Sequence, residues 1–515
     1  MGASLSLIAF VLLLAVFKIT SRKRASARFL TVALLILVLS LFFLLPNRET
    51  TLMVFAVALV PAAYFSVLAV WWQKRPPSPV RKRASLGSAV LSLFFLNFPF
   101  IFGAFLFLFR PPSLSSLFFA ILTAGLALTL FYDFLNIPLA LYHKHLEDTI
   151  SKRNIRHYPS ISIIVPAYNE ENFIAGTIET LLELSYPKKE IIIVDDGSTD
   201  RTLEIAKSFV PRGVKVVHRP NGGKWAALNY GILFSKGEII LTVDADSLVS
   251  RTALIEVVKS FQDPEVTAVA GNVKVLNRNT LLTRCQALEY ITDINIAKRP
   301  FDLFGSTMVV PGVFGAFRKK VLKGTGAYDP DTVTEDFDTT IKALKSGGVV
   351  QAISSAYAYT EAPETLIDFY NQRLRWYGGA LQVMIKHRDI LTHPIFGPLS
   401  TIGYPYILLS MIFVPFCGVV ALISGIIACL TGTVLETLQM LALFIALEFL
   451  FSVLAIQLDD EDLTLALYSP FFVVGYRHLR DIIRFRSFLN VALGRKVAWT
   501  RARRLRRPPE MGRTS

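Results

Sequence analysis

The feature that most constrains the fold is a set of long apolar runs on both sides of one polar stretch. Five runs precede residue 145, and three follow a polar stretch that extends from about residue 143 to 395. Because a helix needs about 20 apolar residues to cross a bilayer, the pattern predicts a membrane protein with one large polar domain. The runs occupy residues 3–18, 29–46, 51–72, 86–109, 114–142, 399–431, 434–456 and 463–476.

Basic residues are unequally distributed among the loops between the first five runs. The first and third loops each carry five Lys or Arg residues, whereas the second and fourth carry one arginine each. Positively charged loops remain cytoplasmic. We therefore expect five spans over residues 1–142, an N-terminus outside the cell and a cytosolic domain over residues 143–395. Run 3–18 could instead be a signal peptide, but it lacks a preceding basic region and a small-residue cleavage site.

The C-terminal part is predicted to return to the membrane. We expect transmembrane or interfacial helices over residues 396–480 and a basic cytosolic tail over residues 481–515. This tail requires an even number of C-terminal spans, either two with an interfacial segment or four. The net charge is +15, and basic clusters beside spans suit anionic lipid headgroups. We therefore expect a multi-pass protein of the plasma membrane that contacts membrane lipids and no nucleic acid.

The cysteines and histidines indicate neither disulfides nor zinc. The three cysteines, Cys285, Cys417 and Cys429, are too few and too scattered for a disulfide framework. The histidines of the tripeptide at 143–145 stand at the end of a predicted span, where an interfacial polar pair is the simpler interpretation. The chain therefore fits a reducing compartment.

The polar domain alternates β-branched runs with helix-like stretches between residues 160 and 245. Continuous apolar strands between amphipathic helices predict a parallel sheet that is covered on both faces. Ligands of such sheets bind beyond the carboxyl ends of the strands. The four strands lead into "PAYNEE", "DDGSTD", "RPNGGK" and "DADS". Each segment alone could be a helix cap, a turn or a solvated strand end, but together they predict a binding site at one sheet edge.

Asp244 and Asp246 follow the fourth strand and are separated by one alanine. Residues two apart on an extended segment point the same way, so both carboxylates can face one point while Ala245 turns aside. Mg²⁺ or Mn²⁺ takes oxygen ligands and commonly joins one or two carboxylates to substrate phosphates. Lys224, which follows two glycines at a helix start, adds a cation and free backbone N–H groups that suit an anion.

Three acids lie close together in the segment "VTEDFDTT" at the predicted start of another helix. Neighbouring negative charges raise the pKa of a carboxylate, which suits a general base that takes a proton from a hydroxyl group. The alternative is that Glu335 and Asp338 only decorate a helix N-terminus, and for Asp338 we favour that interpretation.

The motif "QRLRW" lies in an amphipathic helix predicted over residues 363–387. Gln372, Arg375 and Trp376 share one helix face. An arginine there can bind a departing diphosphate, and an indole offers a flat surface for sugar rings. The same helix could lie at the membrane interface with its Trp and Arg at the headgroups, and both roles can hold together.

The motifs "PAYNE", "VDDGSTD", "NGGKWAALNYGI", "DADS", "TEDFDTT" and "QRLRW" occur in this order between about residues 160 and 385. The set resembles that of the processive, membrane-integrated family-2 glycosyltransferases, which include cellulose, chitin, hyaluronan and poly-N-acetylglucosamine synthases. The resemblance implies an α/β, A-type nucleotide-sugar transferase domain with a mostly parallel sheet, inserted between N-terminal and C-terminal transmembrane α-helices. It also implies an inverting mechanism, a nucleotide-sugar donor and Mg²⁺ or Mn²⁺ as cofactor.

The resemblance also implies a role for each motif residue. Asp336 would be the general base, and Asp246 with Asp244 would bind the metal. Donor-binding residues would be Tyr168, Glu170, Asp196, Lys224, Asp244, Gln372 and Arg375, and acceptor-binding residues would be Trp376, Gly312 and Glu335. Glu170 could equally be a first-turn acid at the positive end of its helix. The family mostly has a small polar residue where Pro311 stands, which leaves acceptor preference open.

Three functions are compared. The favoured one transfers a sugar, with UDP-N-acetylglucosamine as the expected donor, to the end of a growing β-linked polysaccharide, and it leaves room for an accessory subunit. The first alternative transfers one sugar to a polyprenyl phosphate or lipid, and such enzymes generally lack the "QRLRW" helix. The second is a transporter with a catalytically dead domain, which would be expected to lack an acid of "DADS" or "TED", yet both motifs are intact.

Overall fold

A computed structural model describes residues 136–137, 139–152, 154–430 and 434–495. The first five apolar runs, except for the end of the fifth, and the tail after residue 495 lie outside these residues. Two compact units are distinguished. In the described part of the chain, the α/β unit contains Glu147–Tyr290 and Phe301–Gly403, and the helical unit contains the residues up to Leu146, Ile291–Pro300 and Tyr404–Leu489.

The first half of the α/β sheet consists of four parallel strands in the order β3-β2-β1-β4. The strands are β1 (Ile161–Ala167), β2 (Lys189–Asp195), β3 (Lys215–His218) and β4 (Ile239–Val243). They form where β-branched residues run consecutively, since such side chains pack well on a pleated surface. Every residue of β4 is buried, as expected for a strand covered on both faces. The prediction of a parallel α/β sheet over residues 160–245 is confirmed.

The second half of the sheet continues from β4 in the order β7-β6-β8-β5. These strands are β5 (Leu248–Val249), β6 (Val266–Val275), β7 (Phe314–Arg318) and β8 (Val349–Thr360). Strand β7 is antiparallel to both β4 and β6, while β8 is parallel to β6. Strand β5 is antiparallel to β8 at the edge of the sheet. The whole sheet is therefore mixed but mostly parallel, and β7 joins two parallel groups.

Helices alternate with these strands along the chain, and several of them pack on the sheet. They are α1 at residues 139–151, α2 (Ile174–Leu182), α3 (Thr202–Lys207), α4 (Lys224–Phe234), α5 (Ala253–Phe261), α6 (Leu281–Glu289), α7 (Ala297–Asp302), α8 (Lys319–Gly324), α9 (Glu335–Lys345) and α10 (Leu366–Lys386). A π-helical turn, Tyr290–Ile296, joins α6 to α7. In α2 the buried residues Ile174, Ile178 and Leu181 recur every three or four positions, which is the period of a helix face that packs on a core.

The helical unit has one described helix that is long and apolar enough to cross a membrane, Tyr404–Ile427. Phe444–Leu458 is apolar but shorter. The elements are α11 (Tyr404–Leu408), a π turn Leu409–Phe413, α12 (Val414–Leu430), α13 (Val434–Leu458), α14 (Ser469–Phe471) and α15 (Arg477–Ala492). The run at 463–476 is broken into short turns with a kink at Val474 and Gly475. The number of spans stays a prediction.

Charged side chains of the helical unit occur as ion pairs. Arg299 contacts Asp459 at 2.9 Å, and Arg477 contacts Glu448 at 3.0 Å. The Arg299 and Asp459 side chains are almost fully buried. Removing one partner of a buried pair leaves an unpaired buried charge, which typically costs about 3–5 kcal/mol. The pairs therefore contribute to the integrity of this unit.

Candidate active site

The polar loops after the first two strands are bound to each other. The backbone N–H of Asn169 donates to the Ser198 hydroxyl at 3.0 Å, and the Thr199 N–H donates to the Asn169 side-chain oxygen at 2.7 Å. The Glu170 N–H donates to the Thr202 hydroxyl at 2.7 Å. These contacts bring Tyr168 and Glu170 beside the loop that follows β2. The predicted meeting of polar segments at one edge of the sheet is present here.

Asp196 follows β2 and is buried, with 2% of its surface exposed. Its carboxylate accepts hydrogen bonds from Arg219 Nη1 at 2.5 Å and from the backbone N–H of Gly223 at 2.8 Å. The Gly222 N–H approaches both oxygens, at 3.2 and 3.3 Å. The predicted donor-binding acid therefore also holds the loop between β3 and α4.

Lys224 is the first residue of α4, and its side chain reaches one acid after β4 and another at the start of α9. Its Nζ lies 2.6 Å from Asp244 Oδ1 and 3.5 Å from Glu335 Oε1. Burial acts to lower the pKa of Lys224, but the negative charges of Asp244, Glu335 and Asp336 outweigh burial and raise the pKa. The lysine therefore carries a positive charge in the middle of these carboxylates.

Asp336 lies at the start of α9, next to the backbone of Gly312. The Gly312 N–H donates to Asp336 Oδ2 at 3.0 Å, and the Phe337 N–H donates to Oδ1 at 2.8 Å. A Cβ atom on Gly312 would come within 2.9 Å of Lys224 Nζ. A side chain at position 312 would therefore displace the Lys224 ammonium group from its present position. The contact brings the predicted base, a predicted acceptor residue and a predicted donor residue to one place.

The crowding of acids that the sequence indicates affects Glu335. Burial raises the pKa of Glu335, Lys224 opposes this effect, and the charges of Asp336 and Asp244 add to it. Glu335 is the neighbour of the predicted base. Its pKa is therefore raised chiefly because the carboxyl group is buried among other acids.

Asp244 and Asp246 lie at the end of β4, with Ala245 buried between them. The Thr177 hydroxyl donates to the Ala245 carbonyl at 2.8 Å, and the Ser247 hydroxyl donates to Asp246 Oδ1 at 3.2 Å. No group of three or more His, Cys, Asp and Glu side chains in the described chain is arranged to hold a metal. Two neighbouring carboxylates fit a cation such as Mg²⁺ or Mn²⁺ that takes its other ligands from substrate phosphates and water.

Tyr290 is a site residue that the sequence analysis missed. Burial raises the pKa of Tyr290 to about 12, Arg373 opposes this, and the charges of Glu289, Asp246 and Asp244 add to it. The Tyr290 ring centroid lies 6.3 Å from that of Trp376. Tyr290 therefore lies near Trp376 and close enough to the predicted metal ligands for their charges to affect its pKa. It belongs to no motif, and no pattern in the sequence marks it.

Helix α10 presents two arginines in different settings. Arg373 is fully buried, donates to Glu289 Oε2 at 2.6 Å and lies 4.1 Å from the centroid of the Trp376 ring. Arg373 also donates to the Gln372 side-chain oxygen. Arg373 thus orients the predicted functional residues Gln372 and Trp376. The first arginine of "QRLRW", Arg373, was a visible signal, but its partner lies 84 positions away in the sequence.

Arg375 faces the acids of the site. Burial lowers the pKa of Arg375, and the charges of Glu335, Asp244, Asp336 and Tyr290 oppose this effect. An arginine stays protonated in proteins even when its pKa falls. Arg375 therefore adds a second positive charge to the region where Lys224 meets the carboxylates, as expected for a residue that binds a diphosphate.

Gly379 allows α10 to pack directly on the segment that begins α9. A Cβ atom on Gly379 would lie 2.6 Å from Thr334 Cγ2 and 2.9 Å from Val333 Cγ2. Real Cβ atoms do not approach other atoms so closely, so only glycine fits. This contact fixes the distance between the helix that carries Arg375 and the loop that carries Asp336.

Asp338 lies in the first turn of α9, as the favoured interpretation supposed, but it makes buried contacts beyond the decoration of a helix N-terminus. Its carboxylate is buried and lies 2.9 Å from His387 Nε2, 3.0 Å from Lys386 Nζ and 3.4 Å from Lys342 Nζ. Burial alone would raise the pKa of Asp338, but hydrogen bonds from His387 and Lys386, together with the charges of both lysines, lower it to about 2. Asp338 therefore ties the end of α10 to α9.

We expect Asp338→Asn to lower the free energy of unfolding by roughly 2–4 kcal/mol at neutral pH, because Lys342 and Lys386 lose a buried carboxylate partner. The folded-state pKa of about 2 lies below the ordinary value of 3.8, so the stabilisation is complete above about pH 4 and disappears as the pH falls through about 2. The gap between wild type and variant in denaturant-induced unfolding should therefore shrink over that range.

The matched control is Asp331→Asn. Asp331 contacts the same lysine, Lys386, at 2.9 Å, but its side chain is 57% exposed, so its loss should cost at most about 1 kcal/mol. Equal effects of the two substitutions, or a gap that is constant with pH, would contradict the role of Asp338.

Comparisons with known proteins agree with this geometry. Residues 162–326 match the model of Glycosyl transferase family 2. A poly-beta-1,6-N-acetyl-D-glucosamine synthase of Staphylococcus aureus (strain MSSA476) is 32% identical over 260 residues, which are 50% of this chain and 61% of the relative. The enzyme of the same name from Staphylococcus epidermidis is 34% identical over 229 residues, which are 44% of this chain and 56% of the relative. The chain thus spans less than two thirds of these relatives.

A solved structure supports the fold assignment. Mannosyltransferase PcManGT from Pyrobaculum calidifontis, in complex with GDP-Man and Mn²⁺, matches with a TM-score of 0.50 and 21% identity, covering 74% of this chain and all of that one. A second model, of the Chromo shadow domain, matches residues 339–378, but these residues form parts of α9, β8 and α10 within the α/β unit. Residues 162–326 are therefore similar to family-2 glycosyltransferases, and the α/β unit has an A-type α/β fold.

Proposed function

We propose that this glycosyltransferase domain moves a sugar from a nucleotide-diphosphate sugar to the end of a growing polysaccharide at the membrane, with inversion and with Mg²⁺ or Mn²⁺ as cofactor. The observation that carries the proposal is a set of contacts among Lys224, Asp244 and Asp336. Lys224 contacts Asp244 directly, and the backbone of Gly312 lies beside both Lys224 and Asp336. A cationic site for a diphosphate thus adjoins an acid that can accept a proton.

The donor side of the reaction needs positive charge for the leaving diphosphate. Lys224 and Arg375 supply it from two helices, and both stand among the acids of the site. A cation bound by Asp244 and Asp246 would neutralise further charge on the leaving group. Asp196, Tyr168 and Glu170 lie along the loops that follow β1 and β2, where the nucleoside would bind.

The acceptor side of the reaction needs a base. Asp336 takes the proton of the acceptor hydroxyl on a carboxylate oxygen while the hydroxyl oxygen bonds to the anomeric carbon. The bond from that carbon to the diphosphate oxygen breaks on the opposite face, which inverts the configuration. The two backbone N–H groups on Asp336 keep its carboxylate oriented. Trp376, Gly312 and Glu335 are proposed to hold the acceptor sugar.

UDP-N-acetylglucosamine is the proposed donor, supported by the two poly-beta-1,6-N-acetyl-D-glucosamine synthases of comparable sequence. Action at the membrane is supported by the apolar helix Tyr404–Ile427 and by the long amphipathic helix α10. We place the protein in the plasma membrane with this domain in the cytosol. Membrane lipids are its proposed surroundings, and an accessory subunit is compatible with this arrangement.

The test uses the full chain in lipid nanodiscs with Mg²⁺ or Mn²⁺. The protein is supplied in turn with UDP-N-acetylglucosamine, UDP-glucose, UDP-glucuronic acid and GDP-mannose. The release of nucleoside diphosphate and the length of the product are both measured. We expect release that requires the cation, fastest with UDP-N-acetylglucosamine, and a long product. Release with products of one added sugar would replace chain extension by single-sugar transfer to a lipid or polyprenyl phosphate. Sugar transfer that persists in the presence of a chelator would refute the proposed requirement for a divalent cation.

A further inference from the structure

Arg219 is a charged residue of the candidate site to which neither a motif nor the proposed mechanism gives a role. It follows β3 and is largely buried, with 21% of its side chain exposed. Its Nη1 donates to Asp196 Oδ1 at 2.5 Å. The ion pair joins the segment after β3 to the segment after β2.

The guanidinium group of Arg219 also lies directly over the glycine loop. A Cβ atom on Gly222 would come within 2.5 Å of Arg219 Nη2 and 2.7 Å of Nη1. The absence of a side chain at position 222 therefore makes room for the guanidinium group. Arg219, Asp196 and the backbone of residues 222–223 form one compact cluster, which we call the Arg219 clamp.

The clamp stands immediately before Lys224. Gly223 precedes α4 with a φ of 88° and has no side chain that could cap the helix. Asp196 holds the backbone at this position through the N–H groups of Gly222 and Gly223, and Arg219 holds Asp196. The next residue, Lys224, extends to Asp244 at 2.6 Å. A change at Arg219 can therefore alter where the Lys224 ammonium group lies.

We propose that Arg219 is a positioning residue that acts through Asp196 and the Gly222–Gly223 backbone to place Lys224 against the diphosphate of the donor. Arg219 does not read the nucleobase in this arrangement. The inference rests on the proposed function, since it requires a nucleoside diphosphate at Lys224. It gives Asp196 a second task, which is to hold a loop, beside the base and ribose contact proposed for it.

A double-mutant cycle tests this inference. Binding of UDP and of uridine to the full chain in nanodiscs with Mg²⁺ is measured for wild type, Arg219→Met, Lys224→Met and the double variant. Lys224→Met should weaken UDP binding by roughly 10- to 30-fold, the usual loss for a charge-assisted hydrogen bond. Arg219→Met should weaken it by about fivefold alone, yet by less than about twofold in the Lys224→Met background, because coupled residues are not additive. Uridine binding should stay within about twofold throughout.

Gly222→Ala is the matched variant, since it leaves the side chains of Arg219, Asp196 and Lys224 chemically unchanged. The new methyl group displaces only the end of a flexible side chain, so the fold is retained. We expect it to reproduce the loss of UDP binding caused by Arg219→Met. Wild-type UDP affinity in Gly222→Ala, or additive losses in the cycle, would overturn the inference. So would loss of uridine binding in Arg219→Met, which would indicate a direct contact with the base.

The test separates the failure of this inference from the failure of the proposed function. GDP and guanosine are measured in parallel, because the nucleobase is itself part of the proposal. If wild type binds neither diphosphate, the proposed function is wrong and the inference falls with it. If wild type binds one of them and the two losses add, only the positioning role of Arg219 is wrong.

Discussion

Asp336→Asn should reduce sugar transfer by roughly a thousandfold, within the range expected for loss of a general base. An asparagine amide has the size of the carboxylate, and its single oxygen can still accept one of the two backbone hydrogen bonds that Gly312 and Phe337 donate to Asp336. It cannot take a proton from the acceptor hydroxyl. Binding of UDP with Mg²⁺ should stay within about threefold of wild type, because Lys224 and the two acids after β4 are unchanged.

The measurement is the initial rate of nucleoside diphosphate release alongside UDP affinity in the same nanodisc preparation. Asp389→Asn is the control, since Asp389 is partly exposed and pairs with Lys345 at 2.7 Å on the surface. The control should transfer sugar at the wild-type rate. Normal transfer by Asp336→Asn would show that another group accepts the proton, and Glu335 would be examined first.

Asp246→Asn should make donor binding nearly independent of the cation. Replacing one of two carboxylate ligands removes a negative charge from a site that takes hard cations through oxygen. We expect the affinity for UDP in the presence of Mn²⁺ to fall by roughly a hundredfold, comparable to the larger losses seen when metal sites are altered. Affinity for UDP without metal should change little, because Lys224 and Arg375 still face the diphosphate.

Mn²⁺ titrations followed by electron paramagnetic resonance, with and without UDP, give the direct readout. Asp263→Asn serves as control, since the Asp263 side chain accepts a hydrogen bond from the Glu265 N–H at 3.0 Å, which asparagine can replace. A metal requirement that is unchanged in Asp246→Asn would mean that the cation binds elsewhere. Sugar transfer that is unaffected by the substitution would have the same consequence.

The first half of the sheet was predictable because its strands are uninterrupted β-branched runs. Each run ends at polar residues, and parallel strands place those residues at one edge. Strand β7 was not predictable in the same way. It has five residues, Phe314–Arg318, and its apolar, glycine-containing sequence gives no sign of direction. Its antiparallel placement depends on its neighbours β4 and β6, which are contacts between distant parts of the chain.

The site was predictable as far as its motifs reach. The motif residues lie close together in the folded chain, as their positions at the ends of separate strands and helices indicated. They are Lys224, Asp244, Gly312, Glu335 and Asp336. The supporting side chains were not predictable, because each depends on a partner far away in sequence. Arg373 pairs with Glu289, and Tyr290 lies beside Trp376. No periodicity links such pairs, so only the folded chain reveals them.

The membrane topology illustrates a different limit. The apolar runs predict five spans before the domain, and the charge asymmetry of the loops predicts their orientation, but these residues lie almost entirely outside the described chain. The described Tyr404–Ile427 helix agrees with the expected return to the membrane. The orientation and the total number of spans stay predictions, since they depend on segments that are not described.

The contact between Gly379 and Thr334 bears on how such an enzyme could be inhibited. A small molecule that binds between α10 and this segment would move Arg375, the proposed diphosphate ligand, away from Asp336, the proposed base. Resistance through a bulkier residue at position 379 would impose the same separation, because the gap admits no side chain. An inhibitor that binds at the contact between Gly379 and Thr334 would therefore face few substitutions at position 379 that preserve the packing of α10.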